Sequence, residues 1–272
     1  MNYRHTYHAG NFADCFKHAL LVSILDSLSI KRAPYFVLDT HAGAGRYDLD
    51  AEPARRTAEA EVGIRRLLQK PHPSLERYLS LVVDLGLYPG SPSLIRSVLR
   101  ADDHMACCEL NAQDATTLRR QFERDKQVAV HHRCGWQALS ALLPPREKRG
   151  LVFVDPPFEA RDGFVTLTEG LCRGYGRFSH GVFAAWYPIK QMAGVRQFHC
   201  NMTASGIRDI VAVDIHIRST AIPDRLNGCG LVVINPPYQF EDQAGAIANA
   251  VMQGISDNEP FARMLVTRLA DE

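Results

Sequence analysis

Apolar runs of strand length, several ending on an acid, alternate along this chain with longer stretches of helical periodicity. "YFVLD" closes at Asp39, "MACCE" at Glu109 and "LVFVD" at Asp155. Runs rich in β-branched residues, separated by helical crossovers, predict an α/β fold built on a mostly parallel sheet. Seven strands are expected: Tyr35 to Asp39, Met105 to Glu109, Val128 to His132, Leu151 to Asp155, Gly181 to Tyr187, Ile210 to Ile217 and Leu231 to Asn235. Between about Asp50 and Arg100 the rhythm breaks. There "AEVGIRRLLQ" and "LERYLSLVVDLG" read as helices with no strand between them, predicting a helical subdomain over 50–100 inserted in one domain spanning 1–272. Residues after Pro260 read equally as helix or strand.

A chain of 272 residues with 46% hydrophobic content can bury one large core. Its seven cysteines are odd in number and lack CxxC pairing, which argues against a disulfide framework or zinc module and for a reducing, cytoplasmic setting. No His, Cys or acid cluster has metal-ligand spacing, so no metal is expected. The apolar run Ala19 to Leu25 is too short and too charged at its flanks for export or membrane spanning. A net charge of +1 neither demands nor forbids a nucleic-acid partner, because the surface distribution of Lys and Arg sets the field.

After Asp39 comes the turn "THAGAGRY", with Gly43 and Gly45. In open parallel sheets ligands sit at the carboxyl ends of strands, where glycines admit close backbone approach, so a nucleotide-like cofactor is expected. The turn is neither GxGxxG, since Asp48 stands at the third glycine position, nor a P-loop. Alone it reads equally as a structural turn. Glu109, ending the second strand, stands where such folds accept hydrogen bonds from ribose hydroxyls. Cys134 and Gly135 follow the third strand, where an adenine ring passes. Asp155-Pro156-Pro157-Phe158 follows the fourth, beside the first and facing the cofactor.

That tetrad suits methyl transfer to an exocyclic amine conjugated with a ring. Such a nitrogen is a poor nucleophile until pyramidalised, and the Asp155 carboxylate and Pro156 carbonyl can accept its two N–H groups while Phe158 stacks an extruded base. A second tetrad, Asn235-Pro236-Pro237-Tyr238, has the same grammar. On the last expected strand, half of a terminal hairpin, it reads as a strand terminator, with a permuted arrangement in which Asn235 catalyses as the alternative.

The order of the glycine turn and the Asp155 tetrad resembles class I S-adenosylmethionine-dependent amino-methyltransferases acting on adenine N6. Across nearly the whole chain, "YRHTYHAGNFADCFKHALL", "LDTHAGAGRYDL", "YPGSP", "DPPFE", "AAWYPI" and "INPPY" are similar to the bacterial large-subunit ribosomal RNA methyltransferase J family. The resemblance implies a Rossmann-like fold, S-adenosylmethionine as cofactor, 23S ribosomal RNA as partner, and methylation of N6 of one adenine, adenine 2030 in the family. It implies that His18, His41, Gly43, Ser91, Glu109, Cys134, Gly135 and Asp155 line the cofactor site, and that Tyr3 touches RNA. The family pattern has Asp where this chain has Cys134. A monomeric or weakly associating enzyme is expected, free of membrane and metal. Rivals are a DNA adenine or protein glutamine methyltransferase and a silent RNA-binding module.

Without the resemblance, His18 reads as a half-buried packing histidine on a helix, and Ser91 before Pro92 as a helix N-cap. His41, inside the glycine turn, resists so plain a reading. Tyr3 reads as a terminus without a role.

Overall fold

The computed structural model describes residues 5–160, 162–223, 225–256 and 259–272. Asn11 accepts the Asp14 amide and caps α1 (Phe12–Ser29), which leads into β1 (Phe36–Asp39). A short strand β2 (Arg46–Tyr47) follows, then α2 (Glu52–Thr57), α3 (Ile64–Gln69) and α4 (Glu76–Asp84). The strand β3 (Tyr88–Pro89) pairs with β2 and opens α5 (Ser91–Val98). Alternation then sets in: β4 (His104–Glu109), α6 (Ala112–Gln121), β5 (Val128–His132), α7 (Gly135–Ala141), β6 (Gly150–Val154), α8 (Gly163–Arg177), β7 (Val182–Ile189) and α9 (Met192–Ala204). The chain closes through β8 (Ile210–His216), β9 (Gly228–Ile234), α10 (Phe240–Ile255) and β10 (Arg263–Ala270).

The main sheet runs β10-β8-β9-β7-β6-β1-β4-β5. It has eight strands where seven are expected, because the segment after Pro260 forms β10 on the antiparallel edge beside β8. Pairings from β7 through β6, β1 and β4 to β5 are parallel, and β9 runs antiparallel between β7 and β8. Parallel strands carry helices on both faces, so their side chains are apolar on both. Val37, Met105, Cys107, Leu151 and Phe153 pack toward α1, α5, α6 and α10, whereas Leu38, Ala106, Cys108, Val152 and Val154 pack toward α7, α8 and α9. Two buried layers thus clamp the sheet. They leave the carboxyl ends of β1, β4, β5, β6 and β7 at one rim.

Among the described residues, no helix is long and apolar enough to cross a membrane.

Candidate active site

A cleft of about 1090 Å³ lies over that rim. His18, His41, Gly43, Ser91, Glu109, Cys134, Gly135, Asp155, Pro156 and Phe158 all line it, although they come from six separate stretches of chain. Tyr3 lies outside the described residues.

The glycine turn is positioned by the strands beside it. Thr40 N donates to Phe153 O at 3.0 Å and Ala42 N to Cys108 O at 2.9 Å. Gly43 and Gly45 have φ of 62° and 84°, the left-handed region in which a side chain is strained, so the turn needs both glycines. Glu109 then locks the turn from β4. One carboxylate oxygen accepts the Gly43 amide at 2.8 Å and the other the Asn111 amide at 2.6 Å. Burial raises the Glu109 pKa, opposed by those two amides. Each oxygen keeps a lone pair, so the carboxylate can still accept two hydroxyls.

Asp39 is fully buried and accepts the Ser91 hydroxyl at 2.6 Å. Burial pushes its pKa up to about 7, against the Ser91 hydrogen bond and with the Asp155 and Glu109 charges. This corrects the N-cap reading of Ser91. Gly90 occupies the cap position and Ser91 is the first helical residue, its hydroxyl spent on Asp39. His18 is more enclosed than the packing reading holds, at 2% exposure, with its Nδ1 3.1 Å from the Tyr88 hydroxyl. Burial lowers its pKa to about 3, and that of His41 to about 4, so both imidazoles are neutral at pH 7. His41 sits edge-on to Trp136 at 5.1 Å with its Nδ1 2.8 Å from the Thr40 hydroxyl. Gly135 starts α7, and a Cβ there would collide with the Thr40 carbonyl oxygen. The third strand end and the first therefore touch backbone to backbone, with Cys134 as the N-cap of α7.

Asp155 follows β6, the strand that pairs directly with β1. Pro156 is buried, while Asp155, Pro157 and Phe158 are half-buried. The Phe158 ring packs against Phe164 at 5.2 Å and Trp186 at 5.8 Å, making an aromatic wall beside the carboxylate. Sequence reasoning misses Lys17, whose ammonium lies 2.6 Å from Asp155, 2.8 Å from Asp14 and 5.5 Å from the Trp186 ring centroid. Burial opposes ionisation of Asp14, but the charges of His5 and Lys17 hold its carboxyl well below the usual range. The i,i+3 spacing of Asp14 and Lys17 beside His18 is the signal that could have found this pair. Its connection to Asp155 crosses from the first helix to the fourth parallel strand and has no sequence signature.

The second tetrad stands elsewhere. Because β9 is antiparallel to β7, with Ile234 opposite Phe183, Asn235 falls at the rim opposite to Asp155. Asn235 has φ 51° and donates to the carbonyls of Ser179 at 2.8 Å and Gly181 at 2.7 Å. It is a strand terminator tied to the start of β7. The permuted arrangement would need Asn235 at the rim of the glycine turn, and it stands at the other.

A glycine turn after the first strand, an acid ending the second and an Asp-Pro-Pro-Phe tetrad after the fourth, on this sheet order, define a class I S-adenosylmethionine-dependent methyltransferase fold. Residues 32–264 match the family model RsmJ, described as ribosomal RNA large subunit methyltransferase D, RlmJ. The chain is 38% identical over 251 residues to ribosomal RNA large subunit methyltransferase J of Escherichia coli K12, covering 89% of this chain and 90% of that protein. It is 36% identical over 252 residues to the protein of that name from Haemophilus influenzae, with the same coverage. The crystal structure of protein LPL1258 from Legionella pneumophila superposes with a TM-score of 0.88 at 32% identity, over 96% of this chain and 98% of that one. The chain belongs to the RlmJ family.

Among the described residues, no group of three or more His, Cys, Asp or Glu could hold a metal ion.

Proposed function

We propose that this chain transfers a methyl group from S-adenosylmethionine to the N6 amine of a single adenine in 23S ribosomal RNA, adenine 2030 in the family's assignment. The observation that carries the reading is the meeting, in one cleft, of a glycine turn locked by Glu109 with Asp155-Pro156-Pro157-Phe158 on the neighbouring strand. The donor set fits the cofactor. Glu109 has acceptor capacity for two ribose hydroxyls, Gly135 leaves room where a Cβ would collide, and His18, His41 and Ser91 line the same wall. Cys134 cannot supply the carboxylate that the family pattern has there, so contact with an adenine edge falls to backbone at Gly135.

When bound, the cofactor supplies an electrophilic methyl group. The protein's work is to place and shape the nucleophile. The Asp155 carboxylate and the Pro156 carbonyl accept the two N–H groups of the target amine, drawing the nitrogen out of conjugation and aiming its lone pair. The half-buried Phe158 ring offers an extruded base a stacking surface worth on the order of 1 to 3 kcal/mol. Lys17 bridges Asp155 and Asp14, and so fixes the rotamer of the Asp155 carboxylate. Tyr3 is proposed to contact the RNA.

Glu109→Ala should weaken S-adenosylmethionine binding by about 1.5 to 3 kcal/mol, the scale of a hydrogen bond to a charged group. Calorimetric titration checks this, and unchanged affinity would move the cofactor out of this half of the cleft. For the substrate, nucleoside mass spectrometry of 23S rRNA from cells lacking the gene should show one N6-methyladenosine fewer than wild type. A full complement would remove this RNA from the reading.

A further inference from the structure

The sheet order divides the cleft. On one side of β6 and Asp155, the strands β1, β4 and β5 deliver the glycine turn, Glu109 and Gly135; on the other lie β7, β9 and β8. Lys190 follows β7, Arg218 follows β8 after one intervening residue, and Arg225 precedes β9. All three line the same cleft as Asp155 and Phe158. Among the described residues none of them lies within ion-pair distance of a carboxylate. Burial and the charge of Arg225 lower the Arg218 pKa, against the charges of Glu59 and Glu259, which line the same cleft.

One buried side chain holds the cluster together. Asn227 is fully enclosed, and its amide donates to the carbonyls of Lys190 at 3.0 Å and Ile222 at 2.7 Å. Its backbone N donates to Ile189 O at 3.0 Å, and its carbonyl accepts from Ile217 N and Arg218 N. Arg225 Nε donates to its side-chain oxygen at 3.2 Å, and Arg218 Nη1 reaches Leu226 O at 3.3 Å. The chain on either side of Asn227 is thus fastened to the end of β7. Two guanidinium groups cost stability when held near one another, and a loop that keeps them so, beside the main chain of Lys190, favours an anion. A phosphodiester oxygen pair matches the guanidinium fork, and β7 is the immediate neighbour of β6.

We propose that Lys190, Arg218 and Arg225 form a phosphate clamp that grips the RNA backbone next to the extruded nucleotide, on the side of Asp155 away from the cofactor. This rests on the ribosomal RNA reading above. It assigns the cleft two functional halves: cofactor over β1, β4 and β5, RNA backbone over β7, β9 and β8. Phosphate contacts carry no sequence information but fix register, so the clamp sets which nucleotide faces Asp155.

The test compares wild type with R218Q/R225Q on protein-free 23S rRNA, measuring methyl transfer, RNA affinity against salt concentration, and S-adenosylmethionine affinity by calorimetry. The double variant should show a KM for RNA raised about ten-fold or more, with cofactor affinity as in wild type. The slope of log affinity against log salt should shrink by about 1.5, at roughly 0.7 to 0.9 for each phosphate that is no longer neutralised. R218K/R225K, which keeps the charge, should recover most of that slope. If wild type methylates the RNA while R218Q/R225Q keeps its KM and its salt slope, the clamp is wrong and the ribosomal RNA reading stands. A raised KM with an unchanged slope, or a parallel loss of cofactor affinity, also overturns it. If wild type neither binds nor methylates the RNA, both fall.

Discussion

Lys17 is 5% exposed and Asp14 is 1% exposed, so the ammonium bridging Asp14 to Asp155 is shielded from water and from salt. Removing one partner of such a network strands the other charges, whereas removing a pair strands fewer. Lys17→Met should therefore lower the unfolding free energy by about 3 kcal/mol, and D14N/K17M by less than the sum of its single changes. Urea denaturation of the four proteins in the cycle checks this, and strict additivity would mean that the bridge is not coupled. Asp39 supplies a pH dependence. Its folded value of about 7 lies above the ordinary carboxyl value of about 3.9, so folding favours the protonated form. The associated stability is complete below about pH 4 and is lost as the pH climbs through 7, a total on the order of 4 kcal/mol for about three units. Buried Asp214, at about 6, has the same sign but is common to wild type and Asp39→Asn. The stability of wild type relative to Asp39→Asn should therefore fall between pH 4 and 7, and a flat difference by denaturation would contradict the burial account. At this scale the sequence is partly legible. Asp155 and Glu109 stand out at strand ends and Gly43 in the turn after one, but Lys17 and the Ser91–Asp39 bond depend on contacts across 138 and 52 positions of chain, which no local pattern encodes.

Elements place the two tetrads at opposite rims of the sheet. "LVFVD" and "LVVIN" are the same pattern locally, and only strand direction separates them, because β6 is parallel to β1 while β9 is antiparallel to β7. Asn235→Ala should leave turnover within a few-fold of wild type while costing about 1 to 3 kcal/mol of stability, through two missing hydrogen bonds and a left-handed backbone. Asn235→Gly should recover part of the loss by suiting that backbone. Gly135→Ala belongs here as well, since it wedges α7 away from the end of β1. It should weaken S-adenosylmethionine binding measured by calorimetry, and unchanged affinity would show that the contact yields without cost. Strands in the parallel half are readable from runs of buried apolar residues. The edge strand β10 is not: its exposure alternates, and "RMLVTRLA" satisfies a helical pattern as well as a strand pattern until β8 is there to pair with it.

On the scale of the whole molecule, the sheet is a ruler. Asp155 stands at its middle, the proposed cofactor residues over one half and the proposed clamp over the other, so the order of strands fixes what can meet what. A parallel sheet with crossover helices follows from the alternation of strand and helix, but a rim shared by distant stretches of chain exists only once they are folded together. The most direct measurement incubates purified wild type, Asp155→Ala and Asn235→Ala with S-adenosylmethionine and protein-free 23S rRNA, followed by nucleoside mass spectrometry. Wild type and Asn235→Ala should each place one methyl per RNA at an adenine N6, and Asp155→Ala none, with all three folded by circular dichroism. An active Asp155→Ala beside an inactive Asn235→Ala, or a methyl group gained anywhere other than adenine N6, would contradict the account.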